Sequence, residues 1–239
     1  MRPTHPILGI SFFGGTSREA VAEITRTGGL LVAPAAPSMI VLCRDEDYRR
    51  ALLSAQVAIA DSGFMVLLWK LFTGESVSRI SGLEHVKRLL EHESVRLPGA
   101  VLWVVATEES AAKLRTFLGS TLPVPSGDST SNSPTIYVAP RYSRPVADEA
   151  LLALVQQQRP RHVVIAVGGG VQDKLGQYLL ERLDYAPAVH CIGAAIGFLT
   201  GDQVRIPAWA NTMSAGCSGR WRSREYLSPA SGALCACRG

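Results

Sequence analysis

The chain predicts an α/β fold, a mostly parallel sheet with helices on both faces, and three observations predict it. Short apolar runs alternate with longer helical patterns from residue 7 to residue 192. The runs, such as Val57-Ala58-Ile59-Ala60 and His162 to Val167, are rich in Val, Ile and Ala, as strands covered on both sides are. Several end abruptly at Gly or a lone polar residue before a helix begins, which is the punctuation of strand-helix crossovers.

The elements follow in order. Ile7 to Phe12 reads as a first strand. Thr16-Ser17-Arg18-Glu19 has capping-box spacing, and Ala20, Val21 and Ile24 form an apolar stripe on the helix behind it. Leu30 to Val32 is a second strand, Ala33 to Pro37 a rigid loop, and Met39 to Leu53 a helix with a charged, solvated face. The strand Val57 to Ala60 stops at Asp61-Ser62-Gly63, and the apolar run Phe64 to Phe72 reads as a buried core helix. A helix over Leu83 to Glu93 precedes the strand Val101 to Val105 and the helix Glu108 to Leu118. Pro123 to Pro134 is a surface loop by its Ser, Pro, Gly and Asp content. Ile136 to Val138, Val146 to Gln158, His162 to Val167, Val171 to Leu183 and Val189 to Ile192 continue the alternation. Residues 1–210 read as one domain, and from Asn211 to Gly239 apolar periodicity gives way to Ser, Gly, Ala, Arg and Cys, an irregular and weakly ordered tail.

Composition narrows the function. At 47% hydrophobic and 18% charged, the 239 residues can bury a substantial core. A net charge of +4 and a pI near 8.9 suit an anionic ligand or membrane surface and are too weak to argue for nucleic acid. No stretch is long and apolar enough to span a bilayer, and Met1 to Pro6 leads into no signal-peptide core, so the expectation is a cytoplasmic protein. Five cysteines without a C-x-x-C pair and scattered histidines indicate neither a disulfide framework nor a metal site.

Candidate chemistry gathers at the strand ends. Asp61 stands at the carboxyl end of a strand, where open α/β sheets bind ligands; its other reading is an N-cap for the next helix. Gly168-Gly169-Gly170 between a strand and a helix lets bare backbone approach a phosphate, or serves only as a tight turn. Gln172 in the first turn of that helix can bond a sugar or base, or be an ordinary polar residue. Arg205, ahead of Pro207 and Trp209, can pair with a diphosphate or lie on the surface.

Asp61, Arg79-Ile80-Ser81-Gly82-Leu83, the glycine turn with Gln172, and Ile192 to Gly201 running into Arg205-Ile206-Pro207-Ala208-Trp209 occur in an order and at intervals that resemble the WecG/TagA/CpsF family of bacterial glycosyltransferases. The likeness covers about Ile7 to Ala210. It implies a Rossmann-like enzyme that needs no metal or other cofactor and transfers a sugar, such as an N-acetylhexosamine or its uronate, from a UDP-sugar. The acceptor it implies is a sugar on a polyprenyl diphosphate at the inner face of the cell membrane, in cell-surface polysaccharide synthesis. Asp61 maps onto the family's proposed general base. Ser62, Arg79, Gly168, Gly169, Gly170, Gln172 and Arg205 are the substrate-binding candidates. The implied partners are the two substrates and a peripheral membrane contact, without nucleic acid; a homo-oligomer is compatible with the sequence.

Three departures stand out. Ala33-Pro34-Ala35 replaces the family's Thr-x-Asn, Asp61-Ser62-Gly63 its Asp-Gly, and Val171-Gln172-Asp173-Lys174 its Pro-Lys-Gln-Glu. They leave room for a second function class, a nucleotide-binding or scaffold relative with weakened turnover. A dinucleotide-dependent oxidoreductase is disfavoured by the absent G-x-G-x-x-G. In the tail, permitted codons for Ser214 to Arg224, read one frame over, allow a Gly-Trp and Glu-Pro-Arg pattern like the family's. The expectation is a frameshift near Asn211 to Ser214, with Arg220, Arg222 and Arg224 not serving the diphosphate.

Overall fold

The computed structural model describes residues 4–121, 134–193 and 195–201. Among them the strands β1 (Thr4–Ile7), β2 (Ile10–Phe13), β3 (Gly29–Val32), β4 (Val57–Ala58), β5 (Val101–Val105), β6 (Thr135–Val138), β7 (His162–Ala166) and β8 (Ala188–Cys191) form one sheet. Its order is β1-β2-β4-β3-β8-β7-β5-β6, and every pairing is parallel except β1 with β2. The helices are α1 (Ser17–Thr27), α2 (Ala36–Met39), α3 (Glu46–Leu53), α4 (Gly63–Thr73), α5 (Gly82–Glu91), α6 (Glu108–Thr121), α7 (Glu149–Gln158), α8 (Val171–Leu180) and α9 (Ala195–Thr200). The mostly parallel α/β sheet read from the sequence is the fold the chain adopts.

Alternating strand residues build a core on each face. In β5, Leu102 and Val104 join Tyr48, Leu52, Leu151, Val155, Leu175 and Leu179 from α3, α7 and α8, on what is termed the first face. Val101, Trp103 and Val105 join Val86, Leu89, Leu114 and Ile196 from α5, α6 and α9 on the second. Ala20 and Ile24 of α1 cover the second face beside Leu31 and Val57. The predicted capping box is present: the Thr16 hydroxyl accepts the Glu19 N–H, and the Glu19 carboxylate accepts the Thr16 N–H at 2.8 Å.

Three expectations change. The first strand is a hairpin, with Ile7 opposite Ile10 and a two-residue turn in which Leu8 and Gly9 both have positive φ, 52° and 83°. Such turns match the twist of the strands they join, and the leucine in this one hid it. The helix expected over 39–53 is interrupted by a 3-10 turn, Ile40–Cys43, and restarts where the Asp45 carboxylate accepts the Tyr48 N–H at 3.0 Å; the acid read as part of a solvated face is a cap. The helix expected over 64–72 forms, but no residue of α4 is buried. Arg205 and the segment from Asn211, with the proposed frame change, lie outside the described residues, as does most of the 123–134 loop.

Candidate active site

The segments leaving β3 and β7 pass to the first face, into α3 and α8, while the segment leaving β8 passes to the second, into α9. Connections that diverge in this way open a crevice at the carboxyl ends of the strands. Of the polar residues singled out in the sequence, Asp61, Ser62, Arg79 and Gln172 lie along that rim.

Asp61 follows Ile59 and Ala60, which extend β4 and are fully buried. Ala60 forms a parallel bridge with Arg79, and the Ile80 N–H donates to the Ala60 carbonyl at 3.1 Å, so residues 79–80 run on beside the strand. Arg79 Nε donates to the Asp61 carbonyl at 3.1 Å, and Asp61 Oδ1 accepts the Gly82 N–H at 3.1 Å. The carboxylate thus rests on the first N–H of α5, where the helix dipole favours negative charge. Burial raises the Asp61 pKa above the ordinary carboxylate value, against the lowering effects of the Gly82 N–H and the Arg79 guanidinium. Asp61 does not cap the helix that follows it. Ser62 does, its hydroxyl accepting the Met65 N–H at 3.3 Å.

From Asp61 the rim continues without a break. A Cβ at Gly82 would lie 3.0 Å from the Ile192 carbonyl, so the glycine lets α5 abut the end of β8. The next residue, Gly193, has φ +60° and donates its N–H to Gln172 Oε1 at 2.9 Å. Gln172 is buried, and its carbonyl accepts the Cys191 S–H at 3.2 Å. Gly168 and Gly170 have positive φ, 113° and 78°, and open space where a side chain would be; Gly169 lies beside the Ser38 hydroxyl.

Two residues missed in the sequence belong to this rim. Asp173, buried, accepts the Gly170 N–H on Oδ2 at 3.0 Å, while its Oδ1 has no partner among the described residues. Burial pushes its pKa up to about 6 despite the Gly170 N–H and Lys174. Lys174 pairs with Asp45 at 2.8 Å, and Arg144 with the same oxygen at 3.1 Å. Burial would raise the Asp45 carboxyl, but Lys174, the Tyr48 N–H and Arg144 outweigh it and hold the pKa low. The tetrad Val171 to Lys174, one of the departures from the family pattern, therefore supplies an acid that holds the glycine turn and a lysine that ties α8 to Asp45 at the start of α3. Only the spacing of Asp173 from Gly170, three residues as in a capping box, hinted at this.

Behind the rim lies a chain of histidines that no spacing announced. His85 Nε2 meets His190 Nδ1 at 3.0 Å, His190 Nε2 meets His162 Nδ1 at 3.1 Å, and His162 Nε2 meets the Ser94 hydroxyl at 2.8 Å. That hydroxyl also meets His92 Nδ1 at 2.8 Å, and the Ser94 N–H donates to the same nitrogen at 3.3 Å. His92 Nδ1 is therefore an acceptor, so the Ser94 O–H points at it and accepts from His162 Nε2–H. The direction propagates: His190 donates through Nε2–H to His162, and His85 through Nε2–H to His190. His85 Nδ1 is left as a buried lone pair without a partner among the described residues. The chain fastens α5, whose first N–H holds Asp61, to β8 and β7. Apart from His85 Nδ1, the ring nitrogens named here are paired with one another or with Ser94, and among the described residues no three His, Cys, Asp or Glu side chains are grouped to hold a metal ion.

The sequence model of the Glycosyl transferase WecG/TagA/CpsF family matches residues 5–224, most of the 239. The chain belongs to this family. A search of curated proteins finds no match to the chain. Membership makes it a glycosyltransferase of a kind that serves cell-surface polysaccharide synthesis, drawing on a nucleotide-sugar donor and a lipid-linked acceptor. Among the described residues no helix is long and apolar enough to cross a membrane. The family match includes every rim residue named above, and it also runs into the segment that begins at Asn211.

Proposed function

We propose that the protein moves a sugar from a UDP-sugar to an acceptor carried on a polyprenyl diphosphate, with inversion and without a metal, at the inner face of the cell membrane. Asp61 is the general base. Its carboxylate takes the proton of the acceptor hydroxyl as that oxygen bonds to the anomeric carbon; the bond to the diphosphate breaks on the opposite side, and UDP leaves with the electron pair. The donor diphosphate lies over the glycine turn at the start of α8. There the helix dipole and backbone N–H groups face negative charge, with Arg205 and, as the weaker candidate, Arg79 as cations. The Gly170 N–H is already taken by Asp173 and the Gln172 N–H by the Gly168 carbonyl, so Gly169 and Val171 are the backbone donors at the turn. Ser62 and Gln172 act by shaping the rim, since each is engaged with backbone.

The observation that carries this reading is the setting of Asp61. It is a strand-end carboxyl, mostly shielded from water, oriented by a backbone N–H and kept basic by burial. The test is release of UDP from candidate UDP-sugars in the presence of a lipid-linked acceptor. Asp61→Asn keeps the acceptor for Gly82 and the fold, and is expected to lower transfer by about 10²–10⁴-fold while UDP binding persists. Transfer at the wild-type rate by this variant removes Asp61 from the chemistry. UDP binding without release by the wild type favours a scaffold that has lost turnover. A chelator should leave the rate unchanged; its loss would overturn the metal-free step.

A further inference from the structure

We infer that the outer side of α4 is the surface by which the protein seats on an anionic lipid bilayer, an inference that rests on the lipid-linked acceptor proposed above. α4 is apolar on two sides. Met65, Val66 and Trp69 turn inward against the core of the first face. Phe64, Leu67, Leu71 and Phe72 turn outward and are 55%, 42%, 74% and 80% exposed. Their spacing of three, seven and eight residues from Phe64 draws one continuous stripe along the helix. Scattered apolar residues are normal on a surface, but a stripe at helical period marks a contact. At eleven residues α4 is roughly 16 Å long, too short to cross a bilayer and suited to lying in its interface.

The charges select the occupant. Lys70, exposed, is the only charged residue within α4. Arg79, exposed too, brackets the other end, its Nε only 3.5 Å from where a Cβ on Gly63 would sit. The first carboxylate beyond the helix, Glu75, is drawn off toward His5 at 3.9 Å, and Asp61 before it is held on Gly82. An apolar stripe between two cations complements acyl chains beneath anionic headgroups. A second copy of this face would set its own Lys70 and Arg79 against the same two cations. Ile40, 79% exposed, leaves the neighbouring strand β3 at the same end of the sheet. Because α4 begins directly after Asp61, seating this face holds the rim at headgroup level, where a lipid diphosphate lies.

The test is cosedimentation of the full chain with vesicles of phosphatidylcholine alone or mixed equally with phosphatidylglycerol. The wild type is expected on the mixed vesicles. Leu71→Ser with Phe72→Ser should weaken that binding about tenfold or more, the least that two buried apolar side chains contribute. Its far-UV spectrum and its transfer to a short-chain, water-soluble acceptor should be unchanged. Equal binding by variant and wild type, or no binding by either, overturns the inference. So does a dimer, seen by sedimentation velocity, that the variant loses while vesicle binding stays. Transfer to the soluble acceptor is scored separately: if it persists in any of these cases the glycosyltransferase reading stands, and if the wild type lacks it that reading fails on its own.

Discussion

α4 and α5 leave β4 one after the other, and their burial is opposite. α4 carries one charge in its length, and none of its residues is buried. α5 has Glu84, Lys87, Arg88 and Glu91 along its outer side, yet buries Gly82, His85, Val86, Leu89 and Leu90. The core has taken the helix with a repeat and left the helix with more apolar residues. What decides burial is whether one side of a helix matches the face of the sheet, because only that side can be covered by a single layer. The apolar residues on the far side of α4 stay exposed among the described residues.

The contrast breaks or holds first on two truncations. Leu89→Ala should cost about 2–5 kcal/mol in urea unfolding, because it leaves a cavity in a closed core. Leu71→Ala should stay within about 0.5 kcal/mol, as substitutions of exposed residues do. Equal costs would mean that α4 is covered, and the comparison would collapse.

The polar residue that α5 buries sharpens it next. His190→Leu leaves His85 Nε2 and His162 Nδ1 without partners, which should cost about 1–3 kcal/mol. It should also change the shape of the pH profile. Burial holds His85 at about 3 and His162 at about 4, and His190 well below 6.5. The unfolded chain takes up these protons first as pH falls, so the contribution of the three histidines is whole above about 6.5 and is lost progressively below it. The slope is about 1.4 kcal/mol per pH unit for each histidine, and removing one of three should flatten it. Asp173 runs the other way. Its pKa is raised from 3.8 to about 6, so the stability it favours is present in acid and lost as pH rises through that range. Unfolding free energies of wild type and His190→Leu between pH 4 and pH 7 check the sign and the change of slope; an unchanged slope would mean that His190 is not held neutral by the fold.

The smallest effect concerns the caps. Ser81 and Ser62 each accept one N–H, from Glu84 at 3.1 Å and from Met65 at 3.3 Å. Ser81→Ala should lower global stability by about 1 kcal/mol. Ser62→Ala should act mainly within α4, speeding hydrogen exchange of its amides with less change in the global transition, since few buried contacts tie that helix to the rest. A full global loss from Ser62→Ala would show that α4 unfolds with the core.

The same contrast explains what could be read in advance. β5 and β7 were legible because burial on both faces demands an unbroken apolar run, and α1 because Thr16 and Glu19 advertise its start. The place of Asp61 at a strand end was legible because a short apolar run that stops at a carboxylate marks the carboxyl end of a strand. The true partner of that carboxylate, Gly82, lies on another helix, and the partner of Gln172, Gly193, is delivered by the return of β8. Such contacts are made by topology and leave no local spacing. His85, His162 and His190 belong to the same class: they sit on three elements, and only the sheet brings them into line. α4 was misread for a different reason. Apolar residues all round a helix look like a buried helix, and nothing local says that one side will have no layer above it among the described residues.

The hairpin at the start of the sheet carries one more consequence. Ile7 and Ile10 close its two-residue turn as a hydrogen-bonded pair, so the next pair, Pro6 with Ser11, is a non-bonded one in which residue 6 directs its backbone nitrogen away from β2. Among the described residues β1 is the outermost strand, and that nitrogen therefore looks out from the edge of the sheet. Being a proline, it has no hydrogen to offer. A strand from another molecule drawing alongside finds a donor missing in the middle of a four-residue template, which leaves this margin of the sheet a poor seed for edge-to-edge polymerisation and fibril growth.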